Sequence, residues 1–185
     1  MKRILFFIIF LLSWNFLYSH PHLFIKPSIE LLISESIVKG VKISWNWDKW
    51  WSQDVMSNCD SNRDNAFNEK ETLSVYKDYF SGIKEFDYFT KIFINGKKCK
   101  IVKTEKFTVK VNKDKTLTYT FIIPLEVKFD KDLKFSIAFN DETIYTAFDK
   151  SINLSPADGY FYKAIKPSND GYYGTKVDFT VSKNK

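Results

Sequence analysis

The sequence predicts a mainly β protein: an antiparallel β-sandwich with one inserted helix-loop-helix. Three observations carry this. Apolar and polar residues alternate with the period of a half-buried strand, as in Val41, Ile43, Trp45 and Trp47 against Lys42, Ser44 and Asn46. Phe and Tyr, 18 and 10 in number, dominate the aromatics and favour strands. Between residues 48 and 86 the period changes to a helical one, EF-hand-like in its layout.

The elements follow in order. His22 to Ile33 reads as a first strand, and Val41 to Trp47 as a second. Ser34 to Gly40 connects them, with Gly40 as the turn residue. Asp48 is placed as N-cap of a helix running to Asn58, with Trp51, Val55 and Met56 at helical spacing. A polar, turn-rich stretch, 59–68, precedes a second helix, 69–86, with Leu73, Tyr76, Phe80 and Ile83 on one stripe. Further strands are predicted at 88–94, 100–111, 116–127, 133–139, 143–148 and 175–181, with hairpin turns at Asn95-Gly96 and Asn112 to Lys115. Pro124 suggests an edge or a strand bend. There are no internal repeats and no dividing linker, so 185 residues make a single β-rich domain over 20–185.

Residues 1–19 read as a signal peptide. Lys2 and Arg3 form a positive start, and Ile4 to Leu12 is an apolar run too short to span a bilayer. Ser19 suits the residue before the cut, although Leu17 is large for its place. An uncleaved anchor is the other reading. Cleavage predicts a periplasmic protein. Removing Lys2 and Arg3 from the 28 basic residues leaves 26 against 22 acids, a net of +4. The lysines are scattered among acids, so no concentrated positive face for nucleic acid is expected. Cys59 and Cys99 could pair in an oxidising compartment or stay as two buried thiols, and geometry decides.

Asp60 to Glu71, DSNRDNAFNEKE, aligns with the twelve-residue calcium loop between two helices. Asp60, Asn62, Asp64, Asn68 and Glu71 supply side-chain oxygens, and Ala66 its carbonyl. These are hard donors at alternating positions, closed by a carboxylate that can bind bidentately. Phe67 would pin the loop to the core. Asn65 stands where glycine is usual, and asparagine tolerates the left-handed backbone best among the others. With three carboxylates and Arg63 inside the loop, calcium affinity is expected to be weak, roughly 10⁻⁴–10⁻³ M. The plainer alternative is a polar interhelical turn.

The chain's 2 histidines, His20 and His22, directly follow the predicted cut. A free amine and two imidazoles suit a transition metal such as Cu²⁺, Ni²⁺ or Zn²⁺. Pro21 has no amide proton to lose, so chelation through that amide is excluded. In an extended strand residues 20 and 22 point the same way. A polar leader into the first strand is the alternative. With histidine confined to this flexible start, no catalytic Ser–His or Cys–His pair is expected, and the protein is not read as an enzyme. No small organic substrate is predicted.

His20-Pro21-His22 with Phe24-Ile25, then Trp45, Trp47 and Asp48, the Asp60–Glu71 loop, Tyr88-Phe89-Thr90 and Ile94-Asn95-Gly96 occur in this order. Together they resemble a bacterial domain-of-unknown-function family described as the periplasmic component of an uncharacterised ABC-type transport system. The resemblance runs from about residue 20 to about residue 155, and departs from the family at Asn62 and Asn65. It implies an accessory protein of a divalent-cation permease for nickel, cobalt or zinc, to which the chemistry of the histidine start adds copper. The alternative is a calcium-stabilised interaction module without a transported ligand, with Trp47, Trp50 and Trp51 as candidate contacts.

Overall fold

A computed structural model describes residues 22–143 and 145–184. The predicted signal peptide and His20 therefore lie outside the described residues. Two sheets face each other. The first runs β5 (Glu105–Val111), β6 (Leu117–Lys128), β2 (Ile37–Trp47), β1 (Leu23–Ser34) and β8 (Thr146–Phe148), with β9 (Asn153–Ser155) also pairing β1. The second runs β10 (Tyr160–Asp170), β11 (Gly174–Lys183), β7 (Leu133–Phe139), β3 (Thr90–Ile94) and β4 (Lys97–Lys98). Pairing is antiparallel except where the short β8 and β9 lie parallel to β1. The β-sandwich predicted from the alternation is thus present, with the helical insert after β2.

The alternating residues face inward. Ile25, Ile29, Ile43, Trp45, Phe121, Ile137 and Phe179 are all buried between the sheets. Trp45 lies at the centre, with ring centroids of Phe121 at 4.9 Å, Phe148 at 6.0 Å, Phe80 at 6.2 Å and Phe89 at 6.3 Å.

Several local expectations shift. The first turn is Glu35-Ser36, both with positive φ (50° and 61°), which matches the twist of a two-residue hairpin. Gly40 sits inside β2, where β6 approaches so closely that a Cβ would stand 3.0 Å from the Ile123 carbonyl oxygen. Pro124 lies past the last residue of β6 that β5 covers, so its missing N–H costs no ladder bond on that side. The strand expected at residue 100 starts at Glu105. β10 was not legible: its Lys, Pro, Ser and Asn break the alternation, and a register shift between Lys163 and Lys166 breaks it further.

The second helix is compound. An α-helical stretch α2 (Glu69–Val75) runs into a π-helical turn, Tyr76–Phe80, then 3₁₀ turns, Ser81–Phe89. Ser81 N–H donates to the Tyr76 carbonyl, five residues back. That wider turn puts Val75 and Phe80 on the buried face and leaves Leu73 half exposed, correcting the predicted stripe. Asp87, Tyr88 and Phe89 then take left-handed φ of 51°, 52° and 49°, so β3 starts at Thr90 rather than Tyr88. The strain is offset by burial: Tyr88 is 2% exposed and stacks on Phe80 at 5.4 Å.

A candidate cation-binding loop

The helix before the loop, α1 (Lys49–Cys59), is fixed at its start by Asp48. One carboxylate oxygen accepts from Trp51 N–H at 2.9 Å, capping the helix, and the other from Phe24 N–H at 2.7 Å, tying it to β1. Ser52 is fully buried. Its hydroxyl donates to the Asp48 carbonyl at 2.6 Å and accepts from Leu117 N–H at 2.9 Å, locking α1 to β6. The loop therefore leaves a rigid helix end.

Asp60 Oδ2 accepts from Asn65 N–H at 3.0 Å, and Asn65 takes the left-handed backbone (φ 62°) expected for its place. Asn62 and Asp64 form a reciprocal pair, with Asp64 N–H donating to Asn62 Oδ1 and Asn62 Nδ2 to Asp64 Oδ2, each at 2.9 Å. Ala66 N–H donates to Asp64 Oδ1 at 2.8 Å. Phe67 packs against the core as expected. Asn68 caps α2 in a capping box, accepting from Glu71 N–H while its own N–H donates to Glu71 Oε2, both at 3.1 Å. Glu71 Oε1 turns back to the loop's start, accepting from the Ser61 hydroxyl at 2.7 Å and Ser61 N–H at 2.9 Å.

The loop thus spends most of the predicted ligands' oxygens on its own amides. Among the described residues no group of three His, Cys, Asp or Glu side chains stands ready to hold a metal. One oxygen is left over. Asp60 is 8% exposed, and its Oδ1 has no hydrogen-bond partner. A buried, unpartnered carboxylate oxygen is costly. A divalent cation would satisfy it, and oxygens are the donors that hard cations take.

The Ser61 hydroxyl, then the Asn68 amide, hold the Glu71 carboxyl below the usual carboxylate range. A lowered value means the folded form is favoured above the unfolded carboxyl's value. That contribution is lost as pH falls through the folded value. Thermal melts in chelator from pH 6 to pH 3 should therefore fall more steeply for the wild type than for Glu71→Gln. Parallel curves would show that this network does not stabilise the fold.

Ser61 and Lys115 were missed by sequence reading. Ser61 is one residue from Asp60, and its role follows only from the fold-back of Glu71. Lys115 belongs to the β5–β6 hairpin, 50 residues further on than Asn65, yet its ammonium donates to Asn65 Oδ1 at 3.0 Å. With Gln53, Ser57, Asp60, Arg63 and Asn65 it lines a cavity of about 670 Å³ beside the loop.

The other predicted features lie apart. His22 is exposed. Its N–H donates to the Tyr145 carbonyl at 2.9 Å, and the two rings are 5.1 Å apart. Its convergence with His20 lies outside the described residues. Cys59 and Cys99 are separate thiols, and burial pushes both above their ordinary value. Of the three tryptophans, Trp47 is buried and Trp51 packs against the core, leaving only Trp50, 66% exposed, open to a partner. Near the start of α1 a groove of about 660 Å³ is lined by Phe24, Trp47, Phe148, Tyr172 and Lys49.

Residues 5–174 match the family described as a protein of unknown function (DUF1007). The chain belongs to that family. A bacterial family of unknown function was what the ordered motifs implied, and the match covers the loop and every strand but β11. The chain is also similar to a Spirochaeta aurantia protein described as an uncharacterized 15.5 kDa protein in the trpE 3′ region. The two are 32% identical over 104 residues, 54% of this chain and 74% of the relative. No solved structure matches the chain.

Proposed function

We propose that this DUF1007 protein is a periplasmic metal-binding accessory protein of a divalent-cation transport system. The Asp60–Glu71 loop holds calcium, and His20 and His22 handle a transition metal of the nickel, cobalt, zinc or copper type. The observation that carries the calcium part is the unpartnered Asp60 Oδ1, buried in a loop whose other oxygens are internally bonded. Asn62, Asp64, the Ala66 carbonyl, Asn68 and Glu71 would complete the shell after modest side-chain rotation. The transport part, with a membrane permease as partner, is supported by the resemblance of the His-Pro-His start and the acidic loop to proteins of metal transport.

Calorimetric titration of the secreted protein, verified by mass to begin at His20, tests both parts. Calcium should bind one-to-one at roughly 10⁻⁴–10⁻³ M. A transition metal should bind separately and be lost when one residue is added before His20. Absence of calcium heat up to millimolar concentrations removes the loop's role. Transition-metal binding unchanged by replacing both histidines removes theirs.

A second reading is favoured by the exposed aromatics. Phe24 is 55% exposed and Tyr172 84% exposed around the groove, and Trp50 extends from the neighbouring helix start. A calcium-stabilised interaction module would dock a partner there. Loss of both histidines would leave that function intact.

A further inference from the structure

Lys115 reaches the cation loop from a distant and well-fixed turn. Its own N–H donates to the Asn112 carbonyl at 3.0 Å. The adjacent Asp114 carboxylate accepts from both the Thr116 amide (3.2 Å) and its hydroxyl (2.7 Å). The hairpin therefore fixes the backbone from which the lysine extends, and the ammonium rests on Asn65 Oδ1 at 3.0 Å. Asn65 is the residue whose N–H donates to Asp60 Oδ2. Lys115 and Asp60, the carboxylate with the unpartnered oxygen, thus share Asn65 as a partner and line the same cavity. Among the described residues Lys115 makes no ion pair.

We propose that Lys115 sets the cation affinity of the Asp60–Glu71 loop, as a built-in positive charge that a divalent cation must bind against. This rests on the calcium reading of the loop given above. The lysine supplies the loop's acids with a countercharge when no metal is bound, and repels a metal that arrives. Arg63 adds charge from within the loop, but no hydrogen bond fixes its head group among the described contacts. The ammonium is near the surface, so solvent screens the repulsion, and its removal should change affinity by about threefold to tenfold. Weak, adjustable binding follows from the fold and does not require poor ligands.

The test is calcium calorimetry on the full exported chain carrying Lys115→Gln or Lys115→Arg. The wild type is titrated in parallel, and circular dichroism and melting temperature establish that each variant folds. Glutamine keeps a donor for Asn65 and removes the charge. Arginine keeps the charge. Lys115→Gln should bind calcium about threefold to tenfold more tightly at low salt, with the difference shrinking in about 1 M salt, where the Debye length is ~3 Å. Lys115→Arg should stay within about twofold of the wild type. If the wild type binds calcium and Lys115→Gln binds equally or more weakly, the proposal is overturned. It is also overturned if arginine tightens binding as glutamine does, because geometry rather than charge would then be responsible. A wild type that takes up no calcium is a different result: it removes the calcium reading itself, and this inference with it.

Discussion

Trp45→Ala is expected to lose about 3–5 kcal/mol of stability, read by urea unfolding with the slope held in common. Trp45 is fully buried and touches rings contributed by β6, β7, β8, the π-helical turn and the left-handed turn before β3. Phe121, Phe139 and Phe148 are held in their strands and cannot follow the lost ring, so most of the cavity would persist. Such a loss is a large share of the roughly 5–15 kcal/mol that holds a domain together. Trp45→Phe separates two contributions. It keeps an aromatic ring and removes an indole N–H that has no hydrogen-bond partner. Relief of that buried donor offsets part of the lost contact, so phenylalanine should cost less than half of what alanine costs. Equal losses for the two variants would mean that Trp45 is not the packing centre of the sandwich.

The same residue shows what was legible beforehand. Trp45 belongs to a strand that reads from alternation alone, because one face is buried and the other carries Lys42, Ser44 and Asn46. Helix starts were legible for a similar local reason: Asp48 and Asn68 bond to amides three residues ahead, and that spacing is written in the chain. What failed depends on distant partners. Gly40 looks like a turn residue, and only the approach of Ile122 and Ile123 from β6 explains why glycine is there. The exposed Leu73 follows from a π-helical turn that shifts the helix's phase. β10 lacks a buried alternating face, and is held by its pairing with β11 and by two tyrosines. The hydroxyl of Tyr160 accepts from Ser36 N–H at 3.1 Å, and that of Tyr162 from Leu31 N–H at 3.4 Å. In the loop, the left-handed backbone at Asn65 and the packing of Phe67 were legible. The folding-back of Glu71 onto Ser61 and the arrival of Lys115 were not, since neither leaves a periodic trace.

Asp60→Asn should abolish calcium binding while leaving the fold intact, and the two effects are measurable separately. Asparagine keeps an oxygen for the Asn65 amide, so the loop's turn is retained. It removes a charge from a side chain that is 8% exposed and has one oxygen without a partner. In chelator the variant should therefore melt at the same temperature as the wild type or higher, because a buried carboxylate with one unpartnered oxygen is replaced by a neutral group. Calcium at one hundred times its dissociation constant should stabilise the wild type by about 2.7 kcal/mol and the variant not at all. A variant destabilised in chelator by more than about 1 kcal/mol would show that the carboxylate already has a structural partner. The unpartnered oxygen would then no longer point to a cation. A carboxylate that weakens the metal-free protein and is stabilised by a bound ion marks a binding function rather than a folding one. That combination, stability gained on losing the charge together with loss of the calcium response, is what separates a cation site from a polar turn of the same sequence.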